Sequence, residues 1–212
     1  MTMKSPQENK IFLKMFTVGI LEENCYLLAD PETKDACIID PGAEPNKIKE
    51  VLRKESLNLN FIINTHGHGD HIAANGAFKA PIYIHRLDKD FLKDPAKNMS
   101  RMFIFSVTSP PASKILEDND TIALGSLSLA VIHTPGHTPG SISIKTGDII
   151  FTGDALFKGA VGRTDFDYGD EALLLRSIKE RLLVFGDDTV IYPGHGEPST
   201  VGAERRTNPF LL

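Results

Sequence analysis

The chain carries two hydrophobic rhythms, and the β rhythm comes first. Residues 11–18 alternate loosely between apolar and polar and stop at Gly19, as a strand does. Residues 24–29 and 36–39 are apolar runs separated by Asp30-Pro31-Glu32-Thr33-Lys34-Asp35, a turn composition, and together they predict an antiparallel hairpin. Over residues 45–54 the period lengthens: Ile48, Val51 and Leu52 form one stripe among charges, and Pro45 suits a first helical turn. Phe61-Ile62-Ile63-Asn64 reads as a buried strand, Ile72, Ala73, Ala77 and Phe78 fit a short helix, and residues 81–84 fit another strand. From Thr121 the pattern repeats. Residues 121–124 and 127–132 flank Gly125-Ser126 as a tight hairpin, and residues 141–145 and 149–152 flank Gly147-Asp148. Residues 171–185 predict an amphipathic helix with Leu174, Ile178, Leu182 and Phe185 on one stripe, and residues 190–192 predict a last strand. The order is β-rich then α, twice over. It predicts two sheets packed on each other with helices outside.

Composition leaves that picture intact. With 212 residues, 41% hydrophobic and 24% charged, one domain over 1–212 with a substantial core is expected. A net charge of −5 gives no electrostatic footprint for nucleic acid. No apolar run approaches the roughly 18 residues of a membrane span. Met1-Thr2-Met3-Lys4-Ser5-Pro6-Gln7 has no apolar signal core, so a cytoplasmic protein without a membrane partner is expected. Cys25 and Cys37 lie in neighbouring predicted strands and could face each other; two reduced, partly buried thiols are expected. Residues 86–113 lack a clean period. Their apolar members, Met99, Met102, Phe103, Ile104 and Phe105, suit a wall or lid of a substrate pocket.

The chemistry concentrates in Thr65-His66-Gly67-His68-Gly69-Asp70-His71, where three imidazoles and a carboxylate fall within six residues. Donors that dense suit a divalent metal. His66 and His68, two apart on a loop, can point to one ion, and Asp70 and His71, at the next helix start, to a second. His137 sits between two Pro-Gly pairs, Asp154 at a predicted strand tip after Gly153, and His195 in Pro193-Gly194-His195-Gly196. Asp40 follows a predicted strand and precedes a proline, which fits a functional carboxylate or an Asx-type turn equally. His85 reads as an ordinary strand-end histidine and His133 as a loop-packing one.

As a set these motifs resemble the metallo-β-lactamase superfamily of metallohydrolases, over about residues 11–210. The resemblance implies an α/β fold, a four-layer αβ/βα sandwich with its site at one edge. It implies that His66, His68 and His137 hold one metal, that Asp70, His71 and His195 hold a second, and that Asp154 bridges both. Asp40 matches a position where a carboxylate orients a metal-bound histidine. Two divalent ions about 3.5–4 Å apart would acidify a bridging water for attack on a carbonyl, with Asp70 as a secondary proton relay. Zinc is the expected metal, with iron or manganese as options.

Within the superfamily the chain looks closest to glyoxalase II, the hydroxyacylglutathione hydrolases, through Gly159-Ala160-Val161-Gly162-Arg163-Thr164-Asp165-Phe166 and Glu204-Arg205-Arg206-Thr207-Asn208-Pro209-Phe210. Only 17 residues follow His195, so the helical C-terminal domain with which long-form members grip glutathione is not expected here. The expected activity is hydrolysis of an activated acyl bond, a thioester such as S-D-lactoylglutathione, with a small-molecule glutathione conjugate as partner. Arg163 is a candidate for a substrate carboxylate, though a structural pair with Asp165 or Asp167 fits equally. The alternative is persulfide dioxygenase, a related branch with one iron on His66, His137 and Asp154. That branch typically carries Ala before its last histidine and Asp-Tyr after it, whereas this chain has Gly194-His195-Gly196-Glu197, as the thioesterases do. A lactonase is a weaker option.

Overall fold

The computed structural model describes residues 11–102 and 106–212. Two six-stranded mixed sheets carry the fold. The first runs β1 (Phe12–Val18), β2 (Glu23–Ala29), β3 (Asp35–Ile39), β4 (Asn58–Ile63), β5 (Ile82–His85) and β6 (Lys114–Leu116), in that spatial order. β1 to β3 form an antiparallel meander, and every later pair is parallel. The switch comes where α1 (Pro45–Lys54) supplies the crossover a parallel pair requires. The second sheet contains β7 (Thr121–Leu124), β8 (Leu127–His133), β9 (Ile142–Thr146), β10 (Ile149–Gly153), β13 (Val190–Pro193) and β14 (Ser199–Thr200), in the order β14-β13-β10-β9-β8-β7. Between its halves lie a small hairpin of β11 (Leu156–Phe157) and β12 (Ala160–Val161), then α3 (Glu171–Ser177). α2 (Gly69–Ile72) and α4 (Val201–Thr207) complete the helices.

Period-2 alternation sorts these strands into layers. Tyr26, Leu28, Cys37, Ile39, Phe61 and Ile63 point inward and meet Leu129, Val131, Ile144 and Phe151 of the second sheet. The opposite face of the first sheet, with Cys25, Leu27, Ile38 and Ile62, packs under Ile48 and Ile72. On the far face of the second sheet, Ile150 and Ile191 pack against Leu174, Ile178, Leu182 and Val201. The result is helix, sheet, sheet, helix: the expected four-layer sandwich. β2 is buried along its whole length because both of its faces are covered.

Two local expectations change. Cys25 and Cys37 lie on opposite faces of the first sheet, so they cannot face each other; both are free and buried. The helix expected over 171–185 is α-helical only to Ser177 and continues as one π turn, Ile178–Leu182, in which Leu183 N–H reaches the Ile178 carbonyl. Near the end of the chain lies α4, whose Arg205 and Arg206 both pair with Asp187. Among the described residues no helix is long and apolar enough to cross a membrane. The expectations for Met1 to Gln7 lie outside the described residues.

Candidate metal centre

The loops after β3, β4, β8, β10 and β13 gather at one edge of the sandwich and carry Asp40, the 66–71 segment, His137, Asp154 and His195. His66 Nε2 lies 3.1 Å from His68 Nδ1, and His137 Nε2 lies 3.0 Å from the same nitrogen. The hydrogen-bond network assigns the tautomers. Thr65 Oγ1 donates to Asp40 Oδ2 at 2.6 Å, so it accepts from His66 Nδ1 at 3.1 Å. The Arg163 carbonyl accepts from His137 Nδ1 at 2.7 Å. Tyr168 donates its hydroxyl to the Lys97 carbonyl, so its oxygen accepts from His68 Nε2 at 2.8 Å. Every outward nitrogen is a donor, and three inward lone pairs converge. Such lone pairs repel unless a cation lies among them. Nitrogens bound to one tetrahedral ion at about 2.0–2.1 Å would stand roughly 3.3 Å apart, close to the spacing here.

A second cluster adjoins the first. Asp70 Oδ2 lies 3.4 Å from His195 Nε2 and 3.8 Å from His71 Nε2. Asp154 reaches both clusters: its Oδ1 is 3.4 Å from His71 Nε2, and its Oδ2 is 3.6 Å from His137 Nε2 and 3.7 Å from His195 Nε2. His71 Nε2 and Asp154 Oδ1 are buried without a hydrogen-bond partner. Orphaned buried donors and acceptors are costly, and here they face one another as ligands would. The residues fit divalent ions, and all seven candidate ligands stand together.

Asp40 resolves as a buried carboxylate with distant partners, not an Asx turn. Its Oδ1 accepts from Thr65 N–H at 2.7 Å, and its Oδ2 accepts from His71 Nδ1 at 3.1 Å as well as from the Thr65 hydroxyl. It therefore orients His71 directly and His66 through Thr65. Its backbone is left-handed, φ 52°, a conformation that Asp tolerates better than most residues. Two glycines permit the crowding. A Cβ on Gly153, at φ 49°, would lie 2.4 Å from Thr65 Oγ1, and one on Gly194 would lie 2.1 Å from Asp154 Oδ1.

Several residues that sequence reasoning missed hold these loops. The buried Asp88 accepts from Gly67 N–H at 2.9 Å, Thr138 Oγ1 at 2.7 Å and Gly140 N–H at 2.7 Å, tying the His66–His68 loop to the His137 loop. Asn24 grips the His195 loop: its N–H donates to the Gly194 carbonyl at 2.7 Å and its amide to the Gly196 carbonyl at 2.7 Å. Tyr26 donates to the Pro193 carbonyl at 2.6 Å, and His195 Nδ1 donates to the Leu21 carbonyl at 3.0 Å. Glu23 is buried 3.8 Å from His71 Nδ1 with neither oxygen hydrogen-bonded. Burial pushes its carboxyl well above the usual range. The one legible signal was polar Glu23-Asn24 leading directly into an apolar strand; nothing local marks Asp88 or Tyr168.

The two clusters differ electrostatically. Burial, then neighbouring imidazoles, holds His66 well below its ordinary value, and burial holds His68 down to about 3. His71 and His195 move the other way. Burial opposes their charge, but Asp154 and Asp70 outweigh it and raise both.

A cavity of about 440 Å³ opens over the centre, walled by Leu21, Met99, Met102, Phe157, Arg163 and Phe166. The expected pocket wall in residues 86–113 thus includes Met99 and Met102; Phe103, Ile104 and Phe105 lie outside the described residues. Arg163 lines the cavity, and its guanidinium pairs with Asp165 at 2.8 and 2.9 Å and lies over the Phe166 ring. The structural pair expected for Arg163 is thus present, with Asp165 as its partner. His85 and His133 stand apart from the centre, stacked on each other with centroids 4.2 Å apart.

Comparison with known proteins agrees with this geometry. The sequence profile described as Metallo-beta-lactamase superfamily matches residues 18–195. Hydroxyacylglutathione hydrolase GloC of Haemophilus influenzae is 34% identical over 207 residues, covering 94% of this chain and 97% of that protein. The mitochondrial persulfide dioxygenase ETHE1 of Homo sapiens is 35% identical over 193 residues, covering 88% and 70% respectively. The crystal structure of BLEG-1 B3 metallo-beta-lactamase superposes with a TM-score of 0.90 at 36% identity, over 95% of this chain and all of that one. With the fold, the donor set and the profile in agreement, the chain belongs to the metallo-β-lactamase superfamily.

Proposed function

We propose that this chain is a binuclear metal-dependent hydrolase of an activated acyl bond, a thioester, with S-D-lactoylglutathione as the reference substrate. The observation that carries this reading is the second cluster. A mononuclear centre on His66, His137 and Asp154 has no use for Asp70, His71 and His195, yet these three converge and five hydrogen bonds from Asn24, Tyr26 and His195 itself fix the last loop.

Divalent ions supply, when bound, Lewis acidity and an acidified water. The protein's own groups do the rest. Asp154 touches both clusters and keeps them in register. The apolar walls, Leu21, Met99, Met102, Phe157 and Phe166, limit bulk water around the scissile carbonyl. Asp70 faces the cavity and can hold the proton that the departing sulfur takes up. Hydrolysis breaks the C–S bond, forms a C–O bond from water and yields a carboxylate and a thiol. Arg163 stands on the wall where a carboxylate of the thiol arm can reach it.

Persulfide dioxygenase is the second reading, favoured by the 35% identity to a protein of that name and by the proximity of His137 and Asp154. One experiment separates them: metal content of the purified protein, measured beside S-D-lactoylglutathione hydrolysis and oxygen uptake on glutathione persulfide. Close to two metals per chain with thioester turnover is expected. One metal with oxygen uptake and no hydrolysis would overturn the proposal.

A further inference from the structure

A second cavity, of about 250 Å³, adjoins the first and shares Leu21 and Asp70 with it. Its other side chains come from Val18, Ile20, Ala43, Ala73, Val107 and Ser100, with glycine backbone between them. Among the described residues Asp70, at the metal end, is its one charged member. Ser100 Oγ accepts from Val107 N–H at 2.8 Å, which leaves its O–H as the one side-chain hydrogen-bond donor among these residues. At the rim, Ile20 is 84% exposed and Leu21 41%, large apolar side chains left in water beside a reactive centre.

These features differ from those of the metal cavity, where Arg163 offers a cation. A thioester has two arms, and the carbonyl between them must reach the metal centre. Two cavities meet there, one with a cation and one without charge beyond the centre itself. A dianionic or hydroxylated arm would lose its hydration in the second cavity and find only the Ser100 hydroxyl among its side chains to replace it. An alkyl chain loses nothing there and shields Ile20 and Leu21 from water.

We propose that the second cavity is the acyl subsite, and that the substrates turned over best carry an apolar, straight-chain acyl group of several carbons. This rests on the thioesterase reading and adds the substrate class to it. The thiol arm runs along the wall that carries Arg163; the acyl arm passes Leu21 into the groove. Lactoyl is too short and too polar to use that groove fully.

The test is a series of acyl-glutathione thioesters from acetyl to octanoyl, assayed with metal-loaded enzyme. Each buried methylene stabilises by about 0.8 kcal/mol, so kcat/KM should rise roughly two- to fourfold per carbon until the groove is filled. Two filling variants, Ala43→Phe and Ala73→Leu, should each lower octanoyl turnover at least tenfold more than acetyl turnover. A second readout needs no metal: octanoate added to the metal-free protein should shift the methyl NMR signals of Val18, Ala43 and Ala73. A flat or falling series in the wild type, or octanoate that moves none of those signals, overturns the acyl subsite and leaves thioester hydrolysis standing. A chain-length gain that survives both filling variants also overturns it, by placing the chain elsewhere. No hydrolysis of any thioester removes the reading on which it rests.

Discussion

The two halves of the candidate metal centre both rely on histidine and are held in opposite ways. The three-histidine half is closed: His66, His68 and His137 are each 6% exposed or less. Its rings are neutral by burial, and their outer nitrogens are fixed by Thr65, Tyr168 and the Arg163 carbonyl. The half made by Asp70, His71 and His195 is charged and open on one side: His71 is buried, but the side chains of His195 and Asp70 are 28% and 21% exposed. Its scaffold is the β1–β2 loop and the start of β2, some 170 residues from His195 in sequence. Neutral closed imidazoles bind through lone pairs and exclude water, whereas carboxylates add charge and leave room for substrate. The halves should therefore be separable experimentally, and the functional alternatives differ in whether the open half is needed.

Removing one ligand from each half is the strongest way to break the comparison. His68→Ala and His195→Ala should each lower kcat/KM for a thioester by about a thousandfold or more, the loss of several kcal/mol of metal-derived stabilisation. Metal analysis should distinguish them. His195→Ala should retain close to one ion per chain, in the closed half, and His68→Ala should lose that ion. Full activity in His195→Ala would make the open half dispensable and favour a mononuclear reaction.

A gentler cut leaves every ligand in place. Asp88→Ala strips Gly67 N–H, Thr138 Oγ1 and Gly140 N–H of their shared acceptor, and Asn24→Ala removes the side-chain amide from the Pro193 and Gly196 carbonyls while keeping the backbone bond to Gly194. Supporting residues of this kind typically carry 10–100-fold in metal affinity. Competition titration with a chromophoric chelator should show Asp88→Ala weakening one ion by about that factor and Asn24→Ala weakening the other. If either variant weakened both ions equally, the Asp88 and Asn24 contacts would not be specific to one half and the contrast would fail.

The same contrast explains what the sequence could reveal. The ligands were legible because metal chemistry restricts residue type and spacing: His66, His68, Asp70 and His71 occupy six positions between an apolar strand and a helix. The sheets were legible because period-2 alternation and glycine turns are local signals. Asp88 was not, because its partners lie 21, 50 and 52 residues away and its own turn, Arg86–Leu92, is a 3₁₀ segment without a hydrophobic period. Tyr168 lies 100 residues from His68. Helix length misled over 171–185 because the stripe of Leu174, Ile178 and Leu182 persists through a π turn. The faces of Cys25 and Cys37 depend on strand register: Cys37 pairs with Leu28 and Cys25 with Phe16.

Arg163 tests the closed half from its rim. Its carbonyl holds His137, and any substitution keeps that carbonyl, so Arg163→Ala should leave metal content unchanged. Its guanidinium pairs with Asp165 in solvent, and such pairs contribute at most about 1 kcal/mol. The melting temperature should therefore fall by no more than roughly 2–4 °C. If the guanidinium meets a substrate carboxylate, KM for S-D-lactoylglutathione rises several-fold while kcat holds. An unchanged KM in a stably folded variant removes the side chain from the substrate site.

The smallest effect belongs to the histidines outside both halves. His85 stacks on His133, and burial, followed by His133, lowers its pKa to about 4. In the unfolded chain the same group titrates near 6.5. Between these values the unfolded state takes up a proton that the folded state refuses, so stability falls as pH drops from about 6.5 to about 4 and this contribution levels off below. Replacing His85 with Phe keeps the stacked ring and removes the titration. Thermal melts of metal-free wild type and His85→Phe, at steps from pH 7.5 to 4.5, should show a shallower acid-side loss in the variant. Metal-free protein is required because the site histidines release their ions in the same window. Metal content and thioester turnover at pH 7.5 should be nearly those of wild type for His85→Phe and for His133→Ala. If His133→Ala proved as damaging as His195→Ala, the division of the histidines between centre and scaffold would be wrong.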